Sequence, residues 1–178
     1  EPPILVFKII NMQKVIIYCR KSAKPKNTQE RVEEKQILSL ESQEKELKAY
    51  AKEKGLNVVK VLKENESAYK TGRPYFNEMM TLLEQQKADS ILVWHLTRIS
   101  RNSFDGGRVI YFLDEGILKN ILTPQKRYQN TGDDKFILSI ELAMAKKSSD
   151  DTSSFVKRDI KTKADNGEFP GKSPLGYL

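Results

Sequence analysis

The chain has 178 residues, 38% hydrophobic and 31% charged, which excludes an intrinsically disordered polymer and predicts one core of ordinary size, with room for an appendage. Its net charge of +7 and pI of about 9.3 point to an anionic partner, most commonly nucleic acid, with a merely solubilising basic surface as the plain alternative. A single cysteine, Cys19, excludes an internal disulfide and fits a reducing compartment such as the cytoplasm, and no apolar run approaches the ~20 residues of a membrane span.

Residues 1–11 contain the apolar run "ILVFKII" but no basic head, so they do not read as a signal peptide. We expect them to be a leader outside the fold, with the patterned sequence starting at Met12. "KVIIYC" (14–19) predicts a strand rich in β-branched residues, followed by a long charged loop, "KSAKPKNTQERVEEKQ". "SLESQEKELKAYAKEKG" (39–55) predicts a helix capped by Ser39 and stopped by Gly55. "NVVKVL" (57–62) is a second strand, and "RPYFNEMMTLLEQQ" (73–86) a helix with Pro74 in its first turn. "SILVWHL" (90–96) is a third strand, "RVIYFLDEG" (108–116) belongs to a short helix, and "ILKNILTP" (117–124) is a fourth strand that Pro124 ends. From about Thr131 a helix of roughly 35 residues, on the order of 50 Å at 1.5 Å per residue, runs to Asn166 and stops at Gly167. Its first half is apolar and its middle, "KKSSDDTSS", is not, so it must leave its own domain and pack on a second subunit or a ligand. Alternating strands and helices predict an α/β fold with a mostly parallel sheet of four or five strands.

One constellation carries chemistry. Side chains alternate along a strand, so Tyr18, Arg20 and Ser22 share one face, and Cys19 and Lys21 the other. Arg98 and Arg101 follow the carboxyl end of the third strand, where open α/β sheets bind ligands. The two segments should converge on one crevice, and the two arginines share a face if residues 98–101 form a helical turn. Guanidinium forks bind phosphate oxygens and stabilise the charge of phosphoryl transfer, and a serine beside them can attack phosphorus. The bland alternative is a set of surface ion pairs and a loop serine.

"YCRKS" (18–22), "SLESQ" (39–43), "ENESAYKTGRPYFNEM" (64–79), "VWHLTRISRN" (93–102) and "VKRDIKTKADNGEFPGKSPLGYL" (156–178) occur in the order found in serine recombinases. The chain resembles the catalytic domain of this resolvase/invertase family, most closely its large-serine-recombinase branch, from Met12 onward. The resemblance implies a resolvase-like three-layer domain over residues 12–130, a long dimerisation and DNA-proximal helix over 131–166, and over 167–178 the start of a recombinase and DNA-binding region that the chain does not continue. It implies that Ser22 joins the DNA 5′ phosphate while Arg20, Arg98 and Arg101 bind that phosphate. Arg73 matches a further family arginine near the site, and Tyr18, Gln43 and Ser67 match positions that support it. It also implies double-stranded DNA as substrate, a homodimer that pairs into a synaptic tetramer, and no cofactor or metal, because the serine ester conserves the energy of the broken bond.

Thr97 stands where the family usually has aspartate, and threonine cannot act as an acid, so slower catalysis than in Thr97→Asp is expected. The alternative to an active enzyme is an impaired or truncated remnant that only dimerises. A phospho-receiver-like module is disfavoured, because the strand ends carry arginines rather than an acidic cluster. Other features are discounted. His95 is expected to pack at a strand end, and Cys19 to be buried and structural. "NGEFPGKS" (166–173) imitates a phosphate loop with the wrong glycine spacing. Asp133 and Asp134 favour a helix N-terminus, and Asp150 and Asp151 lie on a solvated face.

Overall fold

The computed structural model describes residues 13–21 and 39–169. The leader, Ser22, the charged loop that follows it, and residues 170–178 lie outside these. Five strands form one sheet: β1 (Lys14–Arg20), β2 (Asn57–Glu64), β3 (Ser90–Val93), β4 (Asn120–Leu122) and β5 (Arg127–Gln129). Their spatial order is β2-β1-β3-β4-β5; the first four are parallel and β5 is antiparallel to β4. The helices are α1 (Leu40–Glu53), α2 (Pro74–Glu84), the single turn α3 (Leu96–Ile99), α4 (Ser103–Asp114) and α5 (Gly132–Asp165).

The alternation of β1 builds both faces. Val15, Ile17 and Cys19 pack with Leu47 and Ala51 of α1. Ile16 and Tyr18 point the other way, onto Phe76, Met79, Met80 and Leu83 of α2, Val109, Phe112 and Leu113 of α4, and Leu138 and Leu142 of α5. The result is an α/β domain with a mostly parallel sheet, as the strand–helix alternation predicts, in the three layers that the resemblance implies. The capping signals hold: Ser39 Oγ accepts from Ser42 N at 3.0 Å, Pro74 opens α2, and Gly55 and Gly167 adopt φ of +63° and +78°.

Three expected elements have different boundaries, and a fifth strand lies where none was expected. The third strand ends at Val93 rather than 96, because His95 is an exposed N-cap whose ring accepts from Thr97 N, so it does not pack at a strand end. The helix expected at 108–116 starts earlier, at Ser103, where Asn102 caps it; Gly106 and Gly107 had weakened the helical signal. The fourth strand shrinks to Asn120–Leu122, since Leu118 turns in to pack below α4. Pro124 does end it, in a hairpin turn closed by Thr123, and β5 follows; three residues with one buried side chain, Tyr128, carry too little pattern to be read.

The long helix is present, with 34 residues, capped by Thr131 and ending at Asn166. Only Leu138, Leu142 and Ala145 are buried, all in its first half. Phe136, Ile140, Met144, Phe155 and Ile160 are exposed. No described helix is long and apolar enough to cross a membrane.

Candidate active site

The carboxyl ends of β1 and β3 meet through Arg20. Its side chain is 1% exposed and runs under α3: Nε donates to Arg98 O at 3.0 Å, Nη2 to Thr97 O at 3.0 Å and Nη1 to Lys21 O at 2.7 Å. These bonds use three of five N–H donors. Its guanidinium is pushed down to about 9 from the usual arginine range, first by burial, then by the charges of Arg101 and Arg98. A buried positive cluster of this kind is relieved by an incoming anion.

Gln43 holds the end of β1. Beyond Val93 no strand remains on that side of Arg20, and the Gln43 carboxamide takes its place: Nε2 donates to Arg20 O at 3.2 Å, and Oε1 accepts from Arg20 N at 3.4 Å. Arg98 is 5% exposed in α3. The expected turn over 98–101 does not form as one helix. α3 stops at Ile99 and Ser100 is extended (φ −150°, ψ 151°), because its hydroxyl bonds Asn102 N and Asn102 O. Arg101 therefore sits on a separate segment, its N–H bonded to Ala68 O at 3.0 Å. It lines a cleft of about 530 Å³ with Ser67 and Tyr69 on one side and Ser148, Ser149, Thr152 and Lys157 of α5 on the other. Ser67 forms the turn after β2, its Oγ accepting from Tyr69 N at 3.3 Å.

Arg73 is 1% exposed and enclosed by partners. Nη1 donates to Tyr18 Oη at 3.0 Å, Nη2 to Asp105 Oδ2 at 2.9 Å, and the guanidinium lies 4.3 Å from the Phe76 ring centroid. Burial raises the Tyr18 phenol above its ordinary value, and the charge of Arg73 opposes that. The hydroxyl of Thr97 lies 3.1 Å from His95 Nδ1, while its carbonyl serves Arg20. Cys19 is buried on the opposite face and its thiol is pushed up to about 12 by burial, which fits a structural role.

Ser22 lies outside the described residues. The structure thus brings Arg20, Arg98 and the Thr97 backbone together, joins Tyr18 to Arg73, and puts Arg101 with Ser67. Two buried acids had no place in the sequence reading. Glu64, beside Arg20 in the β1–β2 register, accepts from Glu66 N and from Tyr75 N in the first turn of α2. Asp105 pairs with Arg73. The Asn102-x-x-Asp105 spacing at a helix start was the available signal for the second.

The family model described as "Resolvase, N terminal domain" matches residues 15–169. The chain belongs to the resolvase family. Two solved structures agree with this resolvase-type fold. The N-terminal catalytic domain of TP901-1 integrase aligns with a TM-score of 0.54 at 20% identity, over 78% of this chain and 98% of that one. A resolvase family site-specific recombinase from Streptococcus pneumoniae aligns with a TM-score of 0.51 at 22% identity, over 85% and 98%.

Proposed function

We propose that this resolvase-family domain cuts and rejoins double-stranded DNA through a 5′-phosphoserine on Ser22. In this reading the Ser22 oxygen attacks the scissile phosphorus, the 3′ oxygen leaves as a hydroxyl, and the reverse attack by a 3′ hydroxyl reseals the strand. Arg20, Arg98 and Arg101 bind the phosphate and its transition state. The observation that carries the proposal is the arginine cluster at the ends of β1 and β3: Arg20 is locked by three carbonyls, has two N–H donors unused among the described residues, and stands two residues before Ser22. Exposed Phe136, Ile140 and Met144 on α5 support a homodimer, and pairing of dimers supplies the four subunits that a double-strand exchange needs.

The test is incubation with plasmid DNA carrying the sequences that flank the gene, quenched with SDS. An adduct is expected whose nuclease-digested peptide carries a nucleotide on Ser22, and none with Ser22→Ala. An adduct that survives the substitution rejects the assignment.

Thr97 favours a second reading, an impaired recombinase, because its hydroxyl is turned to His95 and supplies no acid. Thr97→Asp is expected to speed adduct formation by roughly 10²-fold, the low end of the range for a positioned general acid. Equal single-turnover rates for the two proteins remove that idea.

A further inference from the structure

We infer that Asp105 is a positioning residue for the site, a role that rests on the recombinase reading above. Asp105 is 1% exposed, so it touches no DNA and acts only through other groups. Its Oδ2 accepts from Arg73 Nη2 and from Asn102 Nδ2, both at 2.9 Å. Its own N–H donates to Asn102 Oδ1 at 2.8 Å, which fixes the start of α4.

These bonds reach four segments. Arg73, the residue before α2, carries the link on to Tyr18 of β1. Asn102 carries it to Ala68 in the turn after β2, with Nδ2 donating to Ala68 O at 3.0 Å. The N–H of Arg101 donates to the same carbonyl. Each tied residue lies next to a phosphate-site candidate or one step removed: Tyr18 is two residues before Arg20 on the same face, Ala68 follows Ser67, and Asn102 follows Arg101. One buried carboxylate therefore sets the spacing between the β1 side of the site and its Arg101 side. Those sides belong to separate segments, since α3 ends before Arg101. Nothing else described couples Tyr18 to the Arg101 backbone by so short a chain of hydrogen bonds. Misplacement of a catalytic group by about 1 Å costs up to ~10²-fold in rate, so loss of this coupling should appear in the chemical step.

Asp105→Asn keeps the shape and weakens both acceptor bonds. We expect its adduct-forming rate at saturating DNA to fall about 10–100-fold. The half-saturating DNA concentration should stay within about threefold, because no phosphate contact is lost. Hydrogen exchange at the Arg101 amide should quicken by about tenfold or more while β1 and β3 stay protected. The double variant Arg73→Met with Asp105→Leu replaces the buried pair by apolar volume. It should recover the wild-type melting temperature but not the rate. Recovery of both, or a wild-type rate in Asp105→Asn, overturns the inference. Amide exchange separates this from the recombinase reading. If the wild-type protein forms no adduct yet Asp105→Asn frees the Arg101 amide, the coupling stands and the reading falls. An Arg101 amide unchanged by Asp105→Asn overturns the coupling itself.

Discussion

Arg20→Lys is expected to lower the single-turnover rate of adduct formation by about 10²–10³-fold, the cost of removing a preorganised donor from a developing oxyanion. The charge is conserved, so a loss of this size isolates geometry. The guanidinium reaches Lys21 O, Thr97 O and Arg98 O with three different nitrogens and has two further N–H groups that bond nothing among the described residues. An ammonium has three donors on a single atom. It cannot span the three carbonyls, and whatever it gives to them it withholds from a phosphate. Of the carbonyls left behind, that of Arg98 is in a buried setting, where an unmet acceptor costs about 1–3 kcal/mol, and that of Thr97 is partly so, so α3 should loosen as well. Rates are to be measured at saturating DNA, with the melting temperature of the same preparation. A rate within threefold of wild type would mean that Arg20 is only a strut under α3.

Much of this site could be read from the residues because it follows strand periodicity. Two-residue alternation sorted Tyr18 and Arg20 from Cys19, and the structure places Tyr18 and Cys19 in the cores on opposite faces of the sheet. The convergence of β1 with the segment after β3 also follows from a rule, that parallel sheets gather their ligands at strand carboxyl ends. What could not be read depends on side chains competing with the backbone. Ser100 stops α3 with its hydroxyl and separates Arg101 from Arg98, whereas spacing alone suggested one helical face. Gln43 completes a strand end from α1, 23 residues away. His95 caps a single turn, a use that no apolar pattern announces. Asp105 lies 32 residues from Arg73, and nothing local to either residue names the other. The long helix was legible from its caps and length; its solvent-facing phenylalanines and isoleucines were less so, since helical phase becomes clear only once Leu138, Leu142 and Ala145 are seen to be the buried stripe.

Arg73→Ala is expected to have the largest effect on stability, about 3–5 kcal/mol, the usual cost of removing one partner from a buried ion pair. The sign follows from what remains. Asp105 would be left at 1% exposure with, among the described residues, only Asn102 as a hydrogen-bond partner, and a buried carboxyl is costly there whether it stays ionised or must take up a proton. Tyr18 would lose the Arg73 donor to its hydroxyl, and the Phe76 ring the nearer of its two cations, leaving Arg108 at 5.7 Å. The wild-type pair need not be strongly stabilising for this to hold, because desolvating both charges offsets much of their attraction. Arg73 even carries a buried Nε with no partner among the described residues, so the native arrangement is itself imperfect. Asp105→Ala should cost a similar amount, and the two losses should not add, since each variant already breaks the same pair. For a domain of this size a loss of 3–5 kcal/mol lowers the melting temperature by roughly 6–20 °C, within reach of urea and thermal unfolding. Additive losses in the double variant, or a loss below about 1 kcal/mol for Arg73→Ala, would mean that the pair is not the tie between β1 and α4 that its geometry describes.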